Sequence, residues 1–286
     1  MANPLRIGTR GSPLALAQAH MVADALRARA GVESEIVPIT TSGDVIQDRA
    51  LAEVGGKALW TKELDRALLD GRTDLSVHSM KDVETLRPDA LVVAAMLERA
   101  DTKDRLIGAE SLDALPEGAR VGTSSPRRTA QLLSRRPDLN CAIIRGNVQT
   151  RLAKIEAGAY DATLLAAAGL GRLGLELGVA LDLLPAPAQG AIGVEILSAR
   201  KELAAMLSVI DHRPTHDAVR AERAFLAALG GDCHSAVAAL ATDGIVRAEI
   251  LSADGREIQA GEGAPVELAQ RLLAAASPAL RGMFQP

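Results

Sequence analysis

A chain of 286 residues with a formal charge of −4 is long enough for two or three domains, each burying its own core. Its 1% of aromatic residues removes the stacking platforms of single-stranded nucleic-acid binders, and two cysteines are too few for a disulfide-built secreted scaffold. Arg6 and Arg10 interrupt residues 1 to 20, where no run approaches the roughly 18 apolar residues that span a bilayer, so the reading is a cytoplasmic chain with reduced thiols, no membrane segment and no nucleic-acid partner.

Along the first hundred residues, aliphatic runs alternate with helical patterns: "LRIGT", "PLALAQAHMVADALRAR", "SEIVPITT", "LWTKELDRALLDG", "TDLSVHS" and "LVVAAML". That alternation predicts an α/β unit with a parallel-rich sheet. Within it, "DLSVHSMKDV" ends a strand and puts His78, Lys81 and Asp82 in the following turn, where open sheets carry their catalytic groups. A turn aspartate also serves as a simple backbone cap, so the residue alone does not decide. The polar connection from Thr41 to Lys57, with a glycine pair just before Lys57, reads as mobile.

A second series repeats the first: "ARVGT", "PRRTAQLLSRR", "CAIIRG", "VQTRLAKIEAG" and "DATLLAAAG". The openings of the two series match each other. "RIGTRGSPLALAQ" and "RVGTSSPRRTAQL" both run strand, Gly-Thr, Ser-Pro, helix, with an Ala-Gln pair inside the helix. Ser12 and Ser125 are natural N-caps, and Pro13 and Pro126 natural first helical residues. Each unit thereby aims free backbone N–H groups at the crevice beyond its strand ends, where anions bind.

From Arg120 to Arg172 nine basic residues, eight of them arginine, meet only Asp138, Glu156 and Asp161. The local surplus is six charges, which leaves the rest of the chain at −10. Guanidinium forks match carboxylate and phosphate, so the pattern suits a small multivalent anion, although a solvated basic surface would look the same.

Two motifs lead elsewhere and are set aside. "GLGRLG" (Gly169, Gly171, Gly174) has the dinucleotide spacing, but the "LELGVALDLLP" that follows is too short and broken for a crossover helix. His212, His216, Cys233 and His234 suggest zinc, yet no CxxC completes a ligand set, and Pro214 is expected to break the helical register between the first two. No metal site is expected.

From about residue 213 the order changes to a helix ("THDAVRAERAFLAALG"), two strands ("AVAALAT", "GIVRAEILSADG") that form a hairpin or meander, and a closing helix ("PVELAQRLLAAA"). This is a separate small α+β domain. Cys233 follows Gly230, Gly231 and Asp232 there, on an expected loop. Its side chain reads as a core filler, a metal ligand, half of a disulfide or a nucleophile.

"TRGSPLALAQ", "GGKALWTKELD", "VHSMKDV", "VGTSSPRR", "RGNVQTRL", "AAAGLGRLGL", "PAPAQGAIGVE" and "AERAFLAALGGDCHS", in this order, closely resemble the porphobilinogen deaminase family over essentially the whole chain. The resemblance implies two periplasmic-binding-protein-like α/β domains plus a smaller C-terminal α+β domain. The first would take residues 1–98 with the returning 191–212, the second 99–190 and the third 213–286. It implies a transferase of tetrapyrrole biosynthesis that joins four porphobilinogen molecules head to tail, with loss of ammonia, onto a covalent dipyrromethane, and then hydrolyses the product free as hydroxymethylbilane. On this resemblance Cys233 is the thioether anchor and Asp82 the catalytic acid, whose carboxylate binds pyrrole N–H groups and stabilises the azafulvene cation. Lys81, Thr123, Ser124, Ser125, Arg127, Arg128 and Arg145 would hold the cofactor. Arg10, Ser12, Lys57, Arg145, Arg151, Arg172 and Gln189 would hold substrate carboxylates. A monomer is implied, with hand-over of product to uroporphyrinogen-III synthase.

The chain departs from the family pattern in places. Ala236 stands where a proline usually follows the cysteine by three residues, Asp232 and His234 are unusual neighbours of Cys233, and Trp60 replaces the commoner Phe. Two other function classes remain at this point: a two-lobed anion-binding module without catalysis, and a thiol acyltransferase using Cys233 with His234, a pair that adjacent positions on an extended loop would point apart.

Overall fold

A computed structural model describes residues 3–41, 61–232 and 234–284. Lys57, Trp60, Cys233 and all but the first residue of the polar connection from Thr41 to Lys57 lie outside the described residues. The chain divides into two compact units, one from the N-terminus to Ala100 together with Gly190–Asp217, the other from Asp101–Gln189 with the chain from Ala218 onward.

The first unit is built on a five-stranded sheet of order β2-β1-β3-β10-β4, with β1 (Leu5–Arg10), β2 (Ser34–Ile39), β3 (Leu75–Ser79), β4 (Leu91–Met96) and β10 (Ile192–Leu197). β1 runs parallel to both β2 and β3, while β10 runs antiparallel to β3 and β4, so the sheet is mixed rather than simply parallel. Pro38 lies in β2, an edge strand, where its missing N–H costs no ladder bond. Helix α1 (Pro13–Ala30) packs Val22 and Leu26 onto Ile7, Leu75, Val77 and Val194. It is bounded as its sequence demands. Ser12 Oγ accepts from Ala15 N at 3.3 Å, and Gly31, at φ 64°, closes the C-terminus with N–H bonds back to Arg27 and Leu26. Helix α2 (Lys62–Leu69) buries Leu64 and Ala67 against Ile39.

The second unit holds a sheet of the same design, in order β7-β6-β8-β5-β9. Here β6 (Arg120–Gly122) lies parallel between β7 (Asn140–Ala142) and β8 (Ala162–Ala166), and β5 (Asp104–Ile107) runs antiparallel to β8 and to β9 (Val179–Leu181). Each sheet thus has three parallel strands followed by an inserted antiparallel one. Helices α3 (Pro126–Arg135), α4 (Val148–Glu156) and α5 (Ala167–Arg172) belong to this unit. Only the first two residues of "CAIIRG" are strand, and "GLGRLG" begins inside α5 rather than at a strand-to-helix turn.

The first unit is completed by α6 (Lys201–Leu207), and α7 (Arg213–Leu229) follows it. Pro214 does not break the register between His212 and His216. It sits in the first turn of α7, where no intrahelical N–H is needed, and His216 N bonds His212 O at 3.0 Å. The C-terminal segment is a meander of β11 (Val237–Thr242), β12 (Ile245–Leu251) and β13 (Ile258–Gly263) under α8 (Pro265–Ala275) and α9 (Pro278–Gly282), with Phe225, Val246, Ile250, Leu268 and Phe284 in its core. It docks on α3: Ala236 and Leu251 pack on Ala130. Gly255, at φ 70°, approaches so closely that a Cβ there would collide with Ala130 O.

Candidate active site

In the first unit, β1 and β3 end side by side. Arg10 is the last residue of β1, and β3 runs straight into a 3-10 turn, Met80–Asp82. Arg10 and Asp82 line one concavity with Gln18, Thr61, His78 and Ser79. Gln18 is 2% exposed and comes from the Ala-Gln pair of the sequence repeat; its Nε2 donates to Ser79 Oγ at 2.8 Å. The Asp82 turn is held from beneath. Met80 N donates to Ala191 O at 3.1 Å, and Met80 packs on Gly193 of β10, where a Cβ would collide with its Sδ. Lys81 and Asp82 are left half-buried.

His78 is not in the turn. It lies within β3, is 6% exposed, and places Nε2 3.2 Å from Glu195 Oε2 of β10. Glu195, completely buried, is also gripped by Arg87, whose Nε and Nη2 reach its two oxygens at 2.9 and 2.8 Å. Burial pushes the Glu195 carboxyl up, but the hydrogen bonds from His78 and Arg87 outweigh it and hold it at about 2. Burial likewise works against the Arg87 charge, and the Glu195 and Asp65 carboxylates overcome it, holding the guanidinium above its usual value. The sequence held a signal for this group: an acid inside the apolar run "AIGVEIL" must find a buried cation.

In the second unit, Ser125 caps α3, its Oγ accepting from Arg128 N at 3.4 Å, as the repeat predicts. Thr123 Oγ1 accepts from Ser125 N at 3.1 Å, and Ser124 Oγ donates to Ile144 O. Arg127 and Arg128 do not form a solvated patch. They are 3% and 6% exposed and converge on Asp104, itself fully buried, at 2.9 and 2.7 Å. Gln189 Nε2 joins them with a 2.9 Å bond to Asp104 and one of 2.7 Å to Thr102 O. The second repeat glutamine, Gln131, is equally inward: its Nε2 reaches Leu184 O at 3.0 Å and Glu249 at 2.9 Å, and its Oε1 accepts from Arg127. Burial pushes the Arg127 guanidinium down, Asp104 opposing and Arg128 adding to the effect. The Nε atoms of Arg127 and Arg128 are buried without a hydrogen-bond partner among the described residues.

Gln189 follows Ala188, a non-glycine at φ 63°. Such backbone persists only when its surroundings impose it. Ala188 N is held at 2.6 Å by Glu222, a fully buried carboxylate of α7 that also accepts from Ala241 N at 2.9 Å. Sequence reasoning missed Asp104 and Glu222, although an acid in "AERAFLAAL" carries the same signal as Glu195.

Arg145, Arg151 and Arg172 are half-buried around the ends of β7, α4 and α5. Arg151 Nε donates to Gly146 O at 2.9 Å, and Lys154 Nζ donates to Arg145 O at 3.2 Å. Burial pushes the Arg172 guanidinium down to about 10. On either side of position 233, Asp232 accepts from His234 N at 2.8 Å, and Asp232 N donates to Ser235 Oγ at 3.1 Å. Asp232 is therefore tied through its carboxylate and its N–H to His234 and Ser235. Ala236 is 2% exposed and fills the contact with α3. No group of three or more His, Cys, Asp or Glu able to hold a metal occurs among the described residues. Asp82 and Arg10 are thus assembled in the first unit, and Thr123, Ser124, Ser125, Arg127, Arg128 and Gln189 around one helix start and one buried acid in the second. Ser12 caps α1 next to Arg10.

Residues 5–205 match the family model described as porphobilinogen deaminase, dipyromethane cofactor binding domain. The porphobilinogen deaminase of Sphingopyxis alaskensis is 57% identical, with 99% of this chain and 97% of that protein covered. That of Paracoccus denitrificans is 49% identical over 91% of this chain and 88% of its own. Among solved structures, a periplasmic substrate-binding protein of an ABC transporter from Coxiella burnetii overlays with a TM-score of 0.45 at 14% identity, covering 76% of this chain and 94% of that one.

Proposed function

The chain belongs to the porphobilinogen deaminase family, and from that membership we propose that it joins four porphobilinogen molecules head to tail, releasing one ammonia for each, and frees hydroxymethylbilane by hydrolysis. The carrying observation is the concavity shared by Asp82 and Arg10 at neighbouring strand ends. It sets a carboxylate beside a guanidinium, which is what a substrate with a cationic reaction centre and carboxylate side arms requires.

Asp82 is the catalytic acid of this reading. As the C–N bond of the aminomethyl group breaks and ammonia leaves, positive charge spreads into the pyrrole ring, and a fixed carboxylate at the pyrrole N–H lowers its energy. Arg10 and Ser12 from the first unit, with Arg145, Arg151, Arg172, Gln189 and Lys57, are assigned to acetate and propionate groups. Burial presses on the Arg172 charge, which a carboxylate partner would offset.

The donors present fit a covalent dipyrromethane, with its carboxylates. Two buried guanidinium Nε–H groups of Arg127 and Arg128 have no acceptor among the described residues, and the N-terminus of α3 with Ser125 offers further donors. Lys81, Thr123, Ser124 and Arg145 complete the set, with Cys233 as the anchor. When bound, that group supplies the primer to which porphobilinogen units are joined. The two α/β domains 1–98 with 191–212 and 99–190, with 213–286 carrying the anchor, form the domain division of this reading. A cytoplasmic monomer passing its product to uroporphyrinogen-III synthase belongs to it too; Cys141 is a free thiol, and no helix among the described residues is long and apolar enough to cross a membrane.

Intact mass and Ehrlich's reagent on the purified protein test the reading, together with ammonia released per porphobilinogen consumed. A pyrrole adduct, a colour and one ammonia per substrate are expected. An anion-binding module would show no adduct and no consumption, and that result would overturn it.

A further inference from the structure

The chain from His78 to Arg87 leaves the sheet and carries Asp82 midway, and both of its ends lie against one buried carboxylate. At the start, His78 meets Glu195 at 3.2 Å; at the end, Arg87 grips the same Glu195 with two bonds. Arg87 does more than close this loop. Its Nη2 reaches Asp65 of α2 at 2.5 Å, and its Nη1 reaches Glu84 at 2.6 Å, two residues beyond Asp82. Glu84 in turn accepts from Thr61 Oγ1, just before α2, at 2.7 and 2.9 Å. One guanidinium, 11% exposed at its side chain, therefore ties β10, α2 and the segment after the Asp82 turn by reaching three carboxylates.

We infer that Arg87 is a positioning residue for Asp82: by joining Glu84 to Glu195 and Asp65, it fixes the height of the turn above the sheet. The inference rests on Asp82 being the catalytic acid. The geometry is specific to arginine. A planar fork satisfies Glu195 with two N–H groups and still has others for Asp65 and Glu84, whereas the lysine ammonium is a point donor that cannot span all three. Without that span the carboxylates repel one another, and Glu84, the most exposed of the three, is the one the repulsion drives toward water. A displacement of Asp82 by about 1 Å is enough to cost on the order of tenfold to a hundredfold in turnover.

The experiment compares parent, Arg87→Lys, Glu84→Gln and Asp82→Asn as holoenzymes with attached primer confirmed by mass. It measures kcat, KM, melting temperature and amide hydrogen exchange at 25 °C, well below melting. For Arg87→Lys a tenfold or greater fall in kcat is expected with KM within about twofold, and faster exchange confined to residues 80–86. Glu84→Gln, which leaves Arg87 bound to Glu195 and Asp65, should lower kcat by about two- to fivefold in the same pattern, and it decides the matter if Arg87→Lys does not fold. A kcat within twofold of parent, a loss confined to KM, or exchange that rises across the whole first unit along with a lower melting temperature would show a structural role only and overturn the inference. Near-normal turnover in Asp82→Asn would instead remove the assignment of Asp82 itself, independently of what the Arg87 variants do.

Discussion

Asp104 and Arg128 form a salt bridge of 2.7 Å in which the carboxylate is wholly buried and the guanidinium nearly so, and Arg127 meets the same acid at 2.9 Å. Two buried cations share this one buried anion, and Glu249 adds a weaker pull on Arg127. Removing the acid takes away the nearest counter-charge of both guanidiniums. Asp104→Asn should therefore destabilise the second unit by roughly 3–5 kcal/mol, the cost of breaking a buried pair. Urea denaturation followed by circular dichroism checks this; a change under about 1 kcal/mol would mean that the arginines are satisfied without Asp104.

Arg145 differs in kind, being half-buried three residues beyond β7. On the proposed function, which assigns Arg145 to ligand carboxylates, Arg145→Leu should cost about 1 kcal/mol or less in folding while losing most of the turnover. Thermal melting beside specific activity separates the two effects. A large melting shift with normal specific activity would take Arg145 out of the binding set.

The sequence repeat made half of this arrangement legible. Ser12 and Ser125 cap α1 and α3 as their Ser-Pro pairs require, and the paired glutamines, Gln18 and Gln131, both turn inward to fix neighbouring elements. Local spacing sufficed for the caps, which lie within one turn of their partners, whereas the glutamine partners Ser79, Leu184 and Glu249 are 53 or more residues away in sequence. What the spacing could not show were the strands inserted from elsewhere in the chain. β5 has four residues and no alternation, and its acid, Asp104, acquires meaning only when pairing with β8 brings it under α3. β10 arrives 113 residues after β3 in the register His78 with Gly193, and only that register sets Glu195 within reach of both His78 and Arg87. The arginine surplus suits an anion site or a solvated surface equally in sequence, and for Arg127 and Arg128 burial removes the surface alternative.

Acid sensitivity should reveal the Glu195 group. Its carboxyl is held at about 2 in the folded chain against an ordinary 4.5, so it binds fewer protons folded than unfolded near pH 3. The stabilisation it gives is fully present above about pH 4.5 and is lost as pH falls toward 2; it is on the order of 3 kcal/mol at neutral pH. The melting-temperature gap between parent and Glu195→Gln should accordingly be widest at pH 5–7 and close steadily below pH 4.5. A gap that stays constant down to pH 2.5 would show that the ion pair contributes nothing through its charge.

The two cysteines provide an internal control for the anchor. Cys141 begins the two-residue strand portion of "CAIIRG" in β7, lies half-buried against the second core, and is pushed up to about 11 by burial, so almost none of it is thiolate at neutral pH. A thiol in that state is a poor nucleophile and a good space filler. In sequence Cys233 follows Asp232, whose carboxylate accepts from His234 N and whose N–H donates to Ser235 Oγ, while His234 is exposed. Cys233→Ala should give a folded protein without the dipyrromethane mass and without Ehrlich colour, unable to start a chain. Cys141→Ala should keep adduct and activity at a cost of about 1–2 kcal/mol in stability. Intact mass spectrometry of the two variants decides between them, since an adduct that survives Cys233→Ala and vanishes in Cys141→Ala would move the anchor to β7.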